Sequence, residues 1–401
     1  MSDTRRRGPD QRSAASPAPG RMRTALARQR PGVVPFAPCY LDLYLQRRFQ
    51  ENLVAGYKAR LAGQSRVTFD LAGDNGIRLE ARLRAQSVFR EPHDWMGLTA
   101  GRSRAWAEQT ELISEGGKAF WRDVRSGKLT ELAPAAPGST TDNWSAAVPF
   151  DSRQDIDALC PLPKAEDWLA GGAYDLMKLM VQRLGGETFM CGAIGTPFWG
   201  CYSILGFEGL MTAVAEKPAL LEYMLERRTA WCLEYAKVLA SVGAHGVWIE
   251  ECFTGADILS PQQFRRFVMP YTRKVIEALR KSGLIGVYYM CGDVMPQLDA
   301  IMEMSPDALA VEESKKGFTI DIAEIKRRVG NSMALLGNFD AIYLLEHGSP
   351  AAVEREVQRQ INACSRDGGF AMSMGSPMTL TTPPERLDLL ASLTRKWGSR
   401  R

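Results

Sequence analysis

Carboxylate and thiol side chains directly follow apolar stretches in the second half of this 401-residue chain. Three such stretches are 247–251, which ends on Glu250 and Glu251; 285–291, which ends on Tyr289 and Cys291; and 308–313, which ends on Glu312 and Glu313. A buried carboxylate is costly unless it is protonated, paired or bound to a cation. A thiol can act as a nucleophile or a metal ligand. The grouping predicts acid–base, nucleophilic or metal chemistry.

The elements that carry these side chains alternate between apolar runs and amphipathic segments. This order predicts parallel strands that are each followed by a helix. Upstream, 32–42 and 187–198 read as further strands, with 66–72 or 85–90 as another. No Gly-x-Gly-x-x-Gly follows the first strand, which disfavours a doubly wound sheet. We therefore predict an α/β fold of the (β/α)8 TIM-barrel type, with the site at the carboxyl ends of its strands.

Three regions follow from composition and pattern. Residues 1–31 contain eight Arg and few large apolar residues, which predicts a disordered basic tail. Residues 32–401 form the predicted barrel domain. Residues 73–150 interrupt the alternation and are predicted to be an insertion, with a β-hairpin at 118–132 and a loop at 133–144.

Overall charge and cysteine usage restrict the class of protein. A net charge of +4 gives no reason to expect a nucleic-acid partner. We expect no membrane span, because no apolar run approaches about 18 residues, and no secretory signal, because the N-terminal region has no apolar core. The eight cysteines lack framework spacing, which indicates reduced thiols in a cytoplasmic protein. The expected partner is a small-molecule substrate.

Four segments together resemble the uroporphyrinogen decarboxylase superfamily. The resemblance is good over about 190–390 and rests only on organisation over 32–190. The segments are GTPFWGCYSILGFEGL (195–210), IEECFTGADILSPQQFRRFVMPY (249–271), LLGNFDAIYLLEHGSPAAV (335–353) and MGSPMTLTTPPERL (374–387). This superfamily contains decarboxylases of tetrapyrroles and methyltransferases that work with corrinoid proteins. The motifs imply the barrel fold and do not choose between these activities.

The methyltransferases of the superfamily hold zinc with a His-x-Cys pair and a late cysteine, so that the metal activates a thiol. Here the corresponding positions are Tyr289 and Cys291, with Ser376 in place of the late cysteine. The usual His/Cys/Cys site is therefore absent. The stretch from Met290 to Ser314 also resembles the zinc segment of cobalamin-independent methionine synthase, which implies Cys291 and Glu313 as candidate zinc ligands.

The leading hypothesis is a methyl- or alkyl-transferase, linked to a corrinoid or a thiol, with an atypical Cys/Glu site. Glu251, Cys291, Glu313 and Tyr289 are its candidate catalytic residues. The candidate substrate-binding residues are Tyr202, Glu250, Asn338, Asp340 and Ser376. A corrinoid protein is the expected partner of such an enzyme.

Two alternatives remain open at the level of sequence. The first is a decarboxylase-like enzyme that acts on a tetrapyrrole or another polycarboxylate, with Asp or Glu as the acid and Tyr202 as a donor. The arginine motif of the decarboxylases is not matched, since Arg47 and Arg48 are displaced from it. The second alternative is a non-catalytic barrel that binds a corrinoid or a partner protein.

Overall fold

The computed structural model describes residues 18–68, 70–133, 148–315 and 317–399. Its strands are β1 Arg66–Thr68, β2 Trp95–Gly97, β3 Thr110–Glu115, β4 Lys118–Asp123, β5 Leu129–Glu131, β6 Phe189–Gly195, β7 Gly246–Glu251, β8 Ile285–Met290, β9 Ala308–Val311, β10 Ala334–Leu336 and β11 Phe370–Ala371. Its α-helices are α1 Ala18–Leu26, α2 Leu41–Arg48, α3 Gln50–Leu61, α4 Leu71–Gln86, α5 Arg104–Glu108, α6 Arg153–Leu159, α7 Ala165–Ala170, α8 Asp175–Leu184, α9 Pro197–Glu216, α10 Pro218–Ser241, α11 Pro261–Phe267, α12 Met269–Lys281, α13 Leu298–Met304, α14 Ile322–Val329, α15 Pro350–Cys364 and α16 Pro384–Gly398. A 3₁₀ turn spans Met295–Gln297 and a π-helix spans Ala341–Glu346.

Seven parallel strands form a curled sheet in the order β2-β6-β7-β8-β9-β10-β11. Residues 35–37 connect its two edges. Phe36 forms a parallel bridge with Met372 beside β11, and its carbonyl accepts the Asp94 N–H beside β2 at 2.9 Å. Residues 35–37 therefore occupy the eighth strand position, and the predicted TIM-barrel fold is confirmed.

Strand alternation divides the core into two layers. Trp248, Tyr289 and Ala310 belong to the cluster inside the barrel. Their neighbours Ile249 and Tyr288 pack in the outer layer between the sheet and the helices. Because side chains on a strand alternate between faces, Glu250 and Cys291 continue the inner row toward the carboxyl end.

The second barrel strand was not predicted correctly. It is β2, Trp95–Gly97, whereas 66–68 is β1 of a separate antiparallel sheet and the end of α4 occupies 85–86. The separate sheet has the order β1-β3-β4-β5, and its β4–β5 pair is the predicted hairpin. The insertion is thus not continuous over 73–150, because the barrel strand β2 lies within it. The predicted loop at 133–144 lies, apart from its first residue, outside the described residues.

The predicted tail is wrong for its second half. Residues 18–26 form α1, and its Met22 and Leu26 are buried in the same cluster as Phe189 at the start of β6. Arg21 donates to Asp94 through Nε at 3.0 Å and Nη2 at 2.5 Å. Apolar spacing in α1 was overlooked because eight arginines dominate the composition; residues 1–17 lie outside the described part.

Among the described helices, none combines the length and the apolar character that a membrane crossing requires.

Candidate active site

Glu250 lies at the carboxyl end of β7, inside the barrel, among aromatic side chains. The Tyr40 hydroxyl lies 2.8 Å from both Glu250 carboxylate oxygens, and Trp248 Nε1 donates to Oε2 at 2.6 Å. Burial raises the pKa of Glu250, and the hydrogen bonds from Tyr40 and Trp248 lower it by less. Burial therefore shifts Glu250 toward its protonated form, the form in which a carboxyl group can act as an acid.

Two thiols lie side by side where β7 and β8 end. Glu251 pairs with Met290 in the strand register, and the Cys291 N–H donates to the Glu251 carbonyl at 3.0 Å. Cys252 and Cys291 are consequently neighbours on adjacent strands. The Cys252 thiol donates to Glu250 Oε1 at 3.6 Å. The influence of Cys291, followed by burial and the Glu250 charge, raises the pKa of Cys252.

An ion pair borders these thiols on the side of β9. Lys315 Nζ lies 2.7 Å from Glu312 Oε1, and it donates to Ser376 Oγ at 2.6 Å. Burial lowers the pKa of Lys315, but the hydrogen bond to Glu312 and the charges of Glu313 and Glu312 outweigh it, so the net shift is upward. Lys315 therefore remains an ammonium group, and it interacts electrostatically with Cys291.

Tyr289 and Gly292 connect the thiols to this ion pair. The Tyr289 ring stacks on Trp248 at 4.9 Å between centroids, and its hydroxyl donates to the Gly375 carbonyl at 2.9 Å. Gly292 N–H donates to Glu312 Oε2 at 2.9 Å. The Glu312 carboxylate is thereby positioned next to residues 291–292.

A cavity of about 200 Å³ opens inside the barrel beside Glu250. Tyr40, Trp248 and Cys191 contribute to its wall.

The structure brings some predicted residues together and separates others. Glu250, Tyr289, Cys291 and Ser376 converge at the mouth. Glu251 does not join Cys291 and Glu313, because it occupies the alternate position of β7. It is fully buried toward Thr196, and burial holds its pKa well above the usual range. The predicted site of Cys291, Glu313 and Glu251 is therefore wrong as a single cluster.

Three predicted substrate-binding residues have other contacts. Asn338 Nδ2 donates to the carbonyls of Glu312 and Ile320, both at 3.1 Å. Asp340 caps the π-helix by accepting two backbone N–H groups. Tyr202 stacks on Trp199 and contacts Phe253 in the loop after β7. The first two support the strand ends structurally, and Tyr202 lies on the rim.

The residues present do not fit the zinc that the resemblance implied. Over the described residues, no group of three or more His, Cys, Asp or Glu side chains is arranged to hold a metal ion. Glu313 is not grouped with Cys291, since its Oε1 faces Lys315 Nζ at 3.4 Å. We accordingly assign no step to a metal.

The candidate site residues drawn from the sequence do not include Cys252 or Tyr40. Cys252 stands two residues after Glu250, so strand alternation alone places it on the same face. Nothing in the sequence around Tyr40 predicts its contact with Glu250. It reaches Glu250 only because the barrel closes through residues 35–37, and its positive φ of 61° turns the chain there.

Polar side chains gathered at the carboxyl end of an eight-membered parallel barrel define the class of TIM-barrel enzymes. The family model for uroporphyrinogen decarboxylase matches residues 144–397. The chain belongs to the uroporphyrinogen decarboxylase family.

Named proteins resemble this chain in sequence or in fold. The uroporphyrinogen decarboxylase of Geobacter sp. (strain M21) is 25% identical over 260 residues, covering 62% of this chain and 73% of the relative. That of Neisseria gonorrhoeae (strain NCCP11945) is 26% identical over 228 residues, covering 54% of this chain and 61% of the relative, which is less than two thirds. A methyltransferase from Methanosarcina mazei has a TM-score of 0.63 at 18% identity, covering 95% of this chain and 99% of its own. This likeness shows the fold. The named sequence relatives are thus decarboxylases, and the methyltransferase is a neighbour in fold.

Proposed function

We propose that this chain transfers a methyl or small alkyl group to sulfur, with Cys291 as the accepting thiol. The observation that carries the proposal is the adjacent Cys252–Cys291 pair at the carboxyl end of the barrel. Lys315 supplies a nearby positive charge to Cys291, and Cys252 lies beside Cys291 on the adjacent strand. Such neighbours are typical of reactive cysteines.

The transfer step balances with groups that the site contains. The Cys291 sulfur forms a bond to the methyl carbon while the bond from that carbon to the donor breaks, and the electron pair leaves with the donor. The Cys291 proton passes to the Glu312 carboxylate, which Gly292 N–H holds nearby. A second thiol, as its thiolate, then bonds the methyl carbon while the bond from that carbon to the Cys291 sulfur breaks. The Glu312 carboxyl group returns its proton to the departing sulfur, which restores Cys291 as a thiol. A methyl corrinoid on a partner protein remains the proposed donor.

The charges at the mouth favour this reaction over binding of a polycarboxylate. Lys315 is already paired with Glu312 and Glu313. Arg48 donates to the Leu380 carbonyl and lies over the rings of Tyr44 and Phe49. Substrate carboxylates require accessible cations, and both of these side chains are engaged elsewhere.

A decarboxylase-like reaction is the second candidate, and Glu250 is the observation that favours it. A buried carboxyl group with a raised pKa can deliver a proton to the carbon that loses CO₂. The names of the relatives agree with this chemistry.

Parallel assays with methylcobalamin plus a thiol acceptor, and with uroporphyrinogen, discriminate between the candidates. We expect demethylation of methylcobalamin by the wild type and by Cys364→Ala, in which a buried thiol of the outer layer is removed. Cys291→Ala should lose about a hundredfold or more in rate, as is common for a nucleophile. Uroporphyrinogen turnover without methyl transfer would establish the second candidate instead.

A further inference from the structure

A second cavity lies beside the barrel mouth, between α2, α4 and α8. Its volume is about 230 Å³. An engineered protein cavity of roughly 150 Å³ holds benzene, so this one has room for a small ring or a short alkyl chain together with a polar group. Most of its wall is apolar. The apolar side chains include Leu45, Phe49, Leu53, Leu79, Leu176 and Met180.

Arg82 of α4 brings a guanidinium group to this apolar wall. Its Nε and Nη2 atoms are buried, and neither has a hydrogen-bond partner among the described residues. Asp42 acts on Arg82 only electrostatically, and burial outweighs it, so that the pKa of Arg82 is lowered. Buried donors without an acceptor are destabilising. An anionic ligand would satisfy them.

The other polar groups of the wall already have partners. Arg78 Nε donates to Asp74 at 2.8 Å, and Gln46 Nε2 donates to Thr99 Oγ1 at 3.0 Å. Among the described residues that line this cavity, Arg82 is therefore the one whose buried N–H donors have no hydrogen-bond acceptor.

We propose that this cavity binds a small monocarboxylate with an apolar body, the carboxylate facing Arg82. The planar guanidinium matches a carboxylate through two parallel hydrogen bonds. Because Arg78 is already paired with Asp74, Arg82 is the cation of this wall that remains for a ligand, which suits a monoanion better than a phosphate, whose higher charge would need more donors. The site contains neither Cys291 nor Glu250, so it is separate from the proposed transferase centre and does not depend on it.

Calorimetric titration of the full-length protein with benzoate and with its neutral isostere benzamide tests the proposal. We expect benzoate to bind the wild type about tenfold or more tightly than benzamide, because only benzoate satisfies Arg82. Arg82→Met should lose that preference. Arg84→Met should retain it, since Arg84 is exposed on the same helix.

Thermal unfolding supplies a second readout that does not depend on how the variant folds. Benzoate should raise the Tm of the wild type more than benzamide does at equal concentration. Equal effects of the two compounds, or no binding of benzoate, would overturn the proposal. So would benzoate binding that survives Arg82→Met and is lost in Lys315→Met, because it would locate the ligand at the barrel mouth.

Discussion

At the scale of single residues, the site depends on groups whose charge is controlled by burial. Burial raises the pKa of Glu250 against the opposing effect of its hydrogen-bond donors, and two neighbouring acids raise the pKa of Lys315. Cys291, burial and Glu250 raise the pKa of Cys252. These groups lie together where β7, β8 and β9 end.

His93 provides a pH prediction outside the site. His93 precedes β2, at the end of the barrel opposite the mouth, and it lies between the rings of Phe36 and Phe89. Burial, and then Arg395, lowers the pKa of His93 to about 4 from 6.5, with Asp388 opposing. Both ring nitrogens lack a partner among the described residues.

The folded state therefore requires a neutral His93 imidazole. Its contribution to stability is present above pH 6.5 and is lost as pH falls toward 4, by on the order of 3 kcal/mol in the free energy of unfolding. Denaturant unfolding across this pH range should show the loss in the wild type and a smaller loss in His93→Phe. His347→Phe, at an exposed position, is the control. Parallel curves for wild type and His93→Phe would refute the assignment.

The residue types of the site were predictable from the sequence, but which of these side chains lie next to one another was only partly predictable. Alternation on β8 correctly placed Tyr289 and Cys291 on one face, and the barrel rule placed Glu250 and Ser376 at the mouth. Glu251 was assigned to the same cluster because consecutive carboxylates look equivalent in sequence. Because they are consecutive on β7, they point to opposite faces of the strand. Glu250 lies inside the barrel, and Glu251 is buried under α9.

At the scale of elements, the strand-to-loop transition after β8 determines the arrangement of the thiols. Gly292 has φ of 101°, which side chains rarely adopt, and its N–H thereby reaches Glu312. A Cβ there would lie 2.6 Å from Asp257 Oδ1 and 3.2 Å from Gly255 Cα. Only glycine fits this transition.

Gly292→Ala should therefore cost more stability than an equivalent change elsewhere. Gly283→Ala is the matched control, because Gly283 also has a positive φ but nothing lies within 4 Å of a Cβ built there. We expect about 1–2 kcal/mol for Gly283→Ala from backbone strain alone, and roughly 1–3 kcal/mol more for Gly292→Ala. Urea denaturation measures both. Equal costs would show that the contact with Asp257 is readily relieved.

Element prediction failed at β2 and overextended the strand at residues 35–37. The three residues of β2 present too little alternation to be recognised, and the ladder bonds of residues 35–37 depend on both edges of the sheet. β10 and β11 are no longer than β2, but they begin the longer apolar runs 334–340 and 370–375, so they were recognisable together with β6 to β9.

At the scale of the whole molecule, the N-terminal segment completes the barrel. Helix α1 closes the amino-terminal end of the strands, where Met22 is fully buried. Val34 N–H donates to the Gly398 carbonyl at 3.2 Å, which joins the first segment to the last helix. Composition alone had assigned this helix to a tail.

Met22→Ala tests the role of α1 in stability. Removal of a buried methionine should lower the free energy of unfolding by about 2–5 kcal/mol, since a cavity remains. Ala27→Ser, at an exposed position just after the helix, should change it by less than about 0.5 kcal/mol. An unchanged midpoint for Met22→Ala in guanidinium denaturation would show that α1 does not contribute to the folded barrel.

In the proposed reaction Cys291 receives the transferred group. Peptide mass mapping of the full-length protein, after reaction with one equivalent of methylcobalamin in the absence of an added thiol, tests this most directly. We expect a methyl group on the peptide that contains Cys291, and its absence in Cys291→Ala. Methylation confined to another cysteine, or no methylation while uroporphyrinogen is decarboxylated, would contradict it.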